Sequence, residues 1–174
     1  MQETEDKKSA WRFWVLLVVT IAVITTVNIG DFSLSASGLL KASGGLSLLD
    51  TRVWYTPTEA YQLFDALGAA GRNDNRLFYL TFDVIIPLSY SLLLCSAISR
   101  GAMYRFRGLG LLGGFFDYLE NISIVILLSR YPERLGNLVT IAACFTLLKF
   151  AFSGVAIVIA ILGLIIRLLK KGPG

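Results

Sequence analysis

Gly113-Gly114-Phe115-Phe116-Asp117-Tyr118-Leu119-Glu120-Asn121-Ile122 lies in the middle of an apolar run covering about residues 108–129. That run has roughly the 20 residues a helix needs to cross a bilayer. Asp117, Glu120 and Asn121 stand at i, i+3 and i+4, so a helix projects all three from one face. Carboxyl and amide groups are costly in hydrocarbon. They therefore face the interior of a bundle, where they mark a functional site by default.

Composition agrees with this reading. Of 174 residues, 55% are hydrophobic and 16% are charged. Soluble domains run at about 45–50% apolar and about 25% charged. The chain is expected to be an all-α integral membrane protein, a single membrane domain over residues 1–174. Four spans can be drawn at about 11–29, 77–98, 108–129 and 138–169, with one long outer loop at 30–76. The fourth exceeds the bilayer requirement and is expected to tilt or to extend beyond it. Trp11, Trp14, Tyr79, Tyr104 and Tyr131 fall near span ends, as interfacial aromatics do.

The first run is not read as a signal peptide. Glu3, Glu5 and Asp6 precede it, and it is too long for a signal core, although Ser35-Ala36-Ser37 faintly resembles a cleavage site. Nine basic residues (Lys7, Lys8, Arg12, Arg100, Arg105, Arg107, Arg167, Lys170, Lys171) fall on the side of the termini. Six (Lys41, Arg52, Arg72, Arg76, Arg130, Arg134) fall on the other. Both termini are thus expected in the cytoplasm. The net charge of +4 comes mostly from these flanking residues, so it reads as membrane orientation and not as a nucleic-acid footprint. The chain has no histidine, which argues against zinc, haem or His-based catalysis; no cofactor and no metal are expected. Cys95 and Cys144 read as buried free thiols.

In the outer loop, Thr56-Pro57-Thr58-Glu59 is a capping box with proline at the first helical position. Ala60, Leu63, Phe64 and Leu67 give the helix it starts an apolar stripe, and Gly68 or Gly71 can end it. The expectation is a short amphipathic helix over the bundle mouth, acting either as a lid or as packed outer structure. Ser33 to Leu49 shows no firm period.

Three spans carry ionisable residues. Span two holds Asp83, with Tyr79 one turn earlier and Pro87 and Tyr90 after it. Pro87 should free a backbone carbonyl near Asp83. Span three holds Asp117, Glu120 and Asn121, preceded by Gly110, Gly113 and Gly114, which allow close helix approach. Span four holds Lys149, with Thr146 and Ser153 nearby. Three acids against one lysine leave an excess of negative charge in a low-dielectric space. Either arginines reach in or an acid keeps its proton. A protonated acid beside an ionised one suits general acid/base chemistry.

On this basis Asp83, Asp117 and Glu120 are the candidate catalytic groups. Tyr79, Tyr90, Tyr118, Asn121 and Lys149 are candidate substrate-binding groups, and Arg52, Arg72 and Arg76 are placed at the outer mouth. The expected activity is acid/base chemistry on a lipid-soluble small molecule: epoxide opening, isomerisation or cyclisation of an isoprenoid or lipid. The competing reading is non-enzymatic, a proton or cation pathway or an assembly subunit whose acid–lysine cluster is a structural clasp. Expected partners are membrane lipids, a hydrophobic small molecule and, as a further option, a second copy of the chain.

The set Tyr55-Thr56-Pro57-Thr58-Glu59-Ala60-Tyr61, Gly71-Arg72, Asp83 with Pro87 and Tyr90, Phe116-Asp117-Tyr118-Leu119-Glu120-Asn121, and Thr146-Leu147-Leu148-Lys149 resembles a group of small four-span bacterial membrane proteins of uncharacterised activity. The likeness covers about residues 50–170. It implies the same fold, topology and a bacterial inner membrane, and it supplies no activity.

Overall fold

The computed structural model describes residues 2–170, with side chains from residue 10 onward. Lys171 and the side chains of Lys7 and Lys8, all counted toward the orientation, lie outside the described residues. The described residues form six α-helices: α1 (Gln2–Ile29), α2 (Ala36–Ala42), α3 (Pro57–Leu80), α4 (Phe82–Ser99), α5 (Leu109–Arg130) and α6 (Gly136–Lys170). Four stretches are long and apolar enough to cross a membrane: Ala10–Ile29, Pro57–Ser99, Tyr104–Arg130 and Gly136–Lys170. The protein is an all-α membrane bundle.

Small residues decide how the spans meet. Without a hydrophobic force between helices in lipid, close backbone packing takes over. The α5 seam Gly110-x-x-x-Gly114 faces α4. A Cβ at Gly110 would stand 2.6 Å from the Cys95 nitrogen, and one at Gly114 would collide with the Ser91 hydroxyl and lie 3.0 Å from the Pro87 carbonyl. Gly113 faces α6 in the same way, against Ser153. α5 accordingly packs most extensively on α6 and next on α4. α1 is the outlier: it rests mainly on α4 and turns Trp11, Trp14, Val18 and Ile21 outward.

The long connection is firmly packed. Ser35, the residue resembling a cleavage site, is the N-cap of α2, its hydroxyl accepting from the Gly38 nitrogen at 2.9 Å. The sequence reading missed this helix because only seven residues leave no periodicity to detect. The capping box at Thr56 forms, with Glu59 accepting from the Thr56 nitrogen at 2.7 Å. Its apolar stripe is buried in one core with Leu39, Leu49, Tyr55, Ile124, Leu127 and Val139. This is packed structure closing one end of the bundle.

Two boundaries differ from expectation. Gly68, at φ 63° and ψ −175°, breaks α3, a conformation open to glycine, but the helix resumes and runs on to Leu80. A further break at Thr81 divides the second apolar stretch, so 77–80 belong to α3 and 82–99 to α4. Tyr79 is consequently buried on α3 and is no interfacial aromatic. Among the cysteines, Cys144 is exposed and Cys95 half-buried, both free. Neither is the buried thiol expected: helix faces turned to lipid keep apolar side chains accessible.

Candidate functional site

The carboxyl groups of the bundle separate into a saturated set and an open set. The saturated set centres on Lys149 of α6. Its Nζ lies 2.7 Å from Glu120 Oε2 and 3.2 Å from Asp117 Oδ1. The contact with Asp117 is a hydrogen bond, whereas that with Glu120 is ionic without hydrogen-bond geometry. Tyr90 donates to Asp117 Oδ2 at 2.9 Å, so both oxygens of Asp117 are engaged. The Thr146 hydroxyl lies 2.5 Å from Glu120 Oε1, and the Tyr55 hydroxyl lies 3.5 Å from Thr146. Burial, and then the Glu120 carboxylate, push the Tyr55 phenol above its ordinary range, so it stays neutral while accepting from Thr146. All of these side chains except Tyr90 are buried.

Helix periodicity explains why they converge. Asp117 and Glu120 are one turn apart on α5, and Thr146 and Lys149 are one turn apart on α6. The close α5–α6 seam brings the two faces together.

Asn121 and Tyr118, named above as candidate substrate contacts, donate to the backbone of α4. Pro87 has no N–H, so the Asp83 carbonyl four residues earlier loses its helical donor. The Asn121 side-chain amide donates to that carbonyl at 2.8 Å. The Tyr118 hydroxyl donates to the next carbonyl, that of Val84, at 2.7 Å. The freed carbonyl foreseen near Asp83 is thus met by α5, and both side chains brace α4.

The open set lines a cavity of about 650 Å³. Its walls come from α1 (Ile24, Val27), the outer loop (Leu48, Asp50), α4 (Asp83, Tyr90) and α6 (Lys149, Phe150), among others. The lining is largely apolar. Asp117 and Lys149 reach it from the saturated set, whereas Glu120 stands behind them. Asp83, in the first turn of α4, is 4% exposed, and its Oδ2 is buried with no hydrogen-bond partner. Asp50 was not singled out from sequence. It accepts a hydrogen bond from Tyr79 at 2.8 Å and faces the same space. Its signal is faint: a lone acid in an aperiodic loop is ordinarily a solvated residue. Tyr79 therefore holds a carboxylate and leaves no hydroxyl proton for a substrate.

The three arginines do not gather at this cavity. Arg52 turns back to Ser47, donating to its carbonyl at 2.7 Å. Arg72 and Arg76 line a separate, smaller cavity with Ala69, Asn73, Leu128 and Tyr131. Beyond the break at Gly68, the part of α3 that carries Arg72 and Arg76 lies against the end of α5. Among the described residues, no three His, Cys, Asp or Glu side chains converge as a set of metal ligands. Compared with protein-family models, with curated proteins and with solved structures, the chain finds no match.

Proposed function

We propose that the cavity beside Asp83 is the binding and reaction site for a lipid-soluble small molecule. Two facts about Asp83 together carry this: the residue lines a large, mostly apolar cavity, and its buried Oδ2 has no hydrogen-bond partner among the described residues. An unpartnered buried polar group costs about 1–3 kcal/mol. A site retains such a group when an occupant or a reaction uses it. The volume suits a small ligand, and pockets of this kind carry a few polar groups to orient it.

In the enzymatic form of this reading, Asp83 is the acid. For an epoxide, the Asp83 carboxyl gives its proton to the ring oxygen. Water attacks the ring carbon, the carbon–oxygen bond breaks, and the Asp50 carboxylate takes the proton from water. For isomerisation or cyclisation, Asp83 protonates an alkene carbon and Asp50 removes a proton from a neighbouring carbon. Asp117 and Glu120, held by Lys149, Tyr90 and Thr146, would shape the site and take no part in proton transfer. The orientation proposed has both termini in the cytoplasm of a bacterial inner membrane, in keeping with the distribution of basic residues.

The test is turnover by purified protein of isoprenoid epoxides and alkenes in lipid nanodiscs. Asp83→Asn should lose on the order of 10²-fold or more in rate, the usual contribution of a general acid. Unchanged turnover in that variant would remove Asp83 from the chemistry. A non-enzymatic reading, a ligand-binding subunit with a structural clasp, is favoured by the saturation of Asp117 and Glu120. It is distinguished by binding of the same lipophile with no product from any substrate class.

A further inference from the structure

A second site lies on the bundle end where α3 meets the C-terminus of α5. Arg72 and Arg76 are one turn apart on α3 and line a cavity of about 180 Å³ with Asn73, Leu128 and Tyr131. Arg72 is fixed in two ways. It donates to the Phe64 carbonyl at 2.9 Å, and its guanidinium stacks 3.9 Å from the centre of the Tyr131 ring. The break at Gly68 makes the first bond available, because carbonyls at the end of the first half of α3 run short of helical donors. Among the described residues Arg76 bonds only to Asn73, at 3.1 Å, and its buried Nε has no partner.

Neither guanidinium has a carboxylate within ion-pair distance among the described residues. The nearby acid is already committed: Asp65 accepts from Tyr131 at 2.5 Å and pairs with Arg134 at 3.7 Å. Two partly buried, unneutralised guanidiniums around a small polar space are an arrangement that phosphate satisfies well, since arginine matches it with parallel N–H donors. The level also fits. Tyr131 and Arg130 end α5, where a span leaves the hydrocarbon and lipid phosphates lie.

We propose that Arg72 and Arg76 form a phosphate-binding site whose natural ligand is a phosphomonoester or phosphodiester group, either on a lipid headgroup or free in solution. Arg76 supplies the open donors, Arg72 supplies a preset charge, and Leu128 closes the apolar side. The site shares no residue with the cavity beside Asp83 and stands or falls independently of the reaction proposed there.

The experiment is a thermal-unfolding titration of the purified full chain in an uncharged detergent. The probes are phosphatidic acid, a galactosyl diacylglycerol without phosphate, and sodium phosphate. Phosphatidic acid should raise the midpoint saturably, and the galactolipid should not. Arg76→Gln should weaken the apparent affinity at least tenfold. This variant is chosen because Arg76, unlike Arg72, braces no backbone group, so the fold should persist. A matching response to sodium phosphate identifies a free-phosphate site; a response to phosphatidic acid alone identifies a headgroup site. Equal affinity in Arg76→Gln and wild type, or no response to either phosphate probe, overturns the proposal.

Discussion

The two sides of the bundle interior treat their carboxyl groups in opposite ways. On the α5–α6 side, Asp117 and Glu120 share Lys149 and are further held by Tyr90 and Thr146. On the α4 side, Asp83 lines an apolar cavity, and its buried Oδ2 has no hydrogen-bond partner among the described residues. The same residue type is structural in one place and available in the other. What separates them is the ion pair with Lys149, not burial. A cluster of acids on one helix face is therefore poor evidence of catalysis on its own. The carboxyl left without a partner is the informative one.

This contrast can be broken at several points. The largest effect is expected at Lys149. Lys149→Met removes the cation and leaves two buried carboxyl groups unpaired, which should cost about 3–5 kcal/mol. Chemical unfolding in detergent should show it directly. Loss of less than about 1 kcal/mol would mean that the cluster does not hold the bundle together. Next is Gly114→Leu, which forces a side chain against Ser91 and the Pro87 carbonyl. Overpacking of this kind costs about 1–3 kcal/mol. Cysteine crosslinking between α4 and α5 should become less efficient in that variant, because the seam must open.

A smaller effect is expected from Asn121→Leu, which strips the Asp83 carbonyl of its donor and should cost about 1–2 kcal/mol. Here the comparison can be sharpened. In a Pro87→Ala background the helix supplies its own N–H to that carbonyl, so the same substitution should cost measurably less. The double-mutant cycle measures the coupling. Additive losses would show that Asn121 is not repairing the gap left by proline. The smallest stability effect belongs to Asp83→Asn. With no partner to lose, its unfolding free energy should stay within about 0.5 kcal/mol of wild type.

Much of the fold could be read in the chain. Apolar length placed the spans, the capping box at Thr56 placed the start of α3, and Gly110, Gly113 and Gly114 marked the close helix seams. Spacing also put Asp117 and Glu120 on one helix face, whereas their shared pairing with Lys149 came only with the packing of α5 on α6. Other features had no local signal. Only the breaks at Gly68 and Thr81 decide that Tyr79 belongs to α3, and Asp50 gains its place through the packing of an aperiodic loop. Which acids are satisfied depends on the pairing of helices, so the roles of Asn121 and Tyr118 were legible only once Pro87 was seen opposite α5.

The most direct test compares wild type with Asp83→Asn by native mass spectrometry, reading in one spectrum both the intact fold and any lipophile retained in the cavity. The account predicts a folded variant that has lost the bound lipophile carried by wild type. Equal occupancy in both proteins, or a variant that unfolds as Lys149→Met does, would contradict the assignment of Asp83 as the available carboxyl and the cavity as its site.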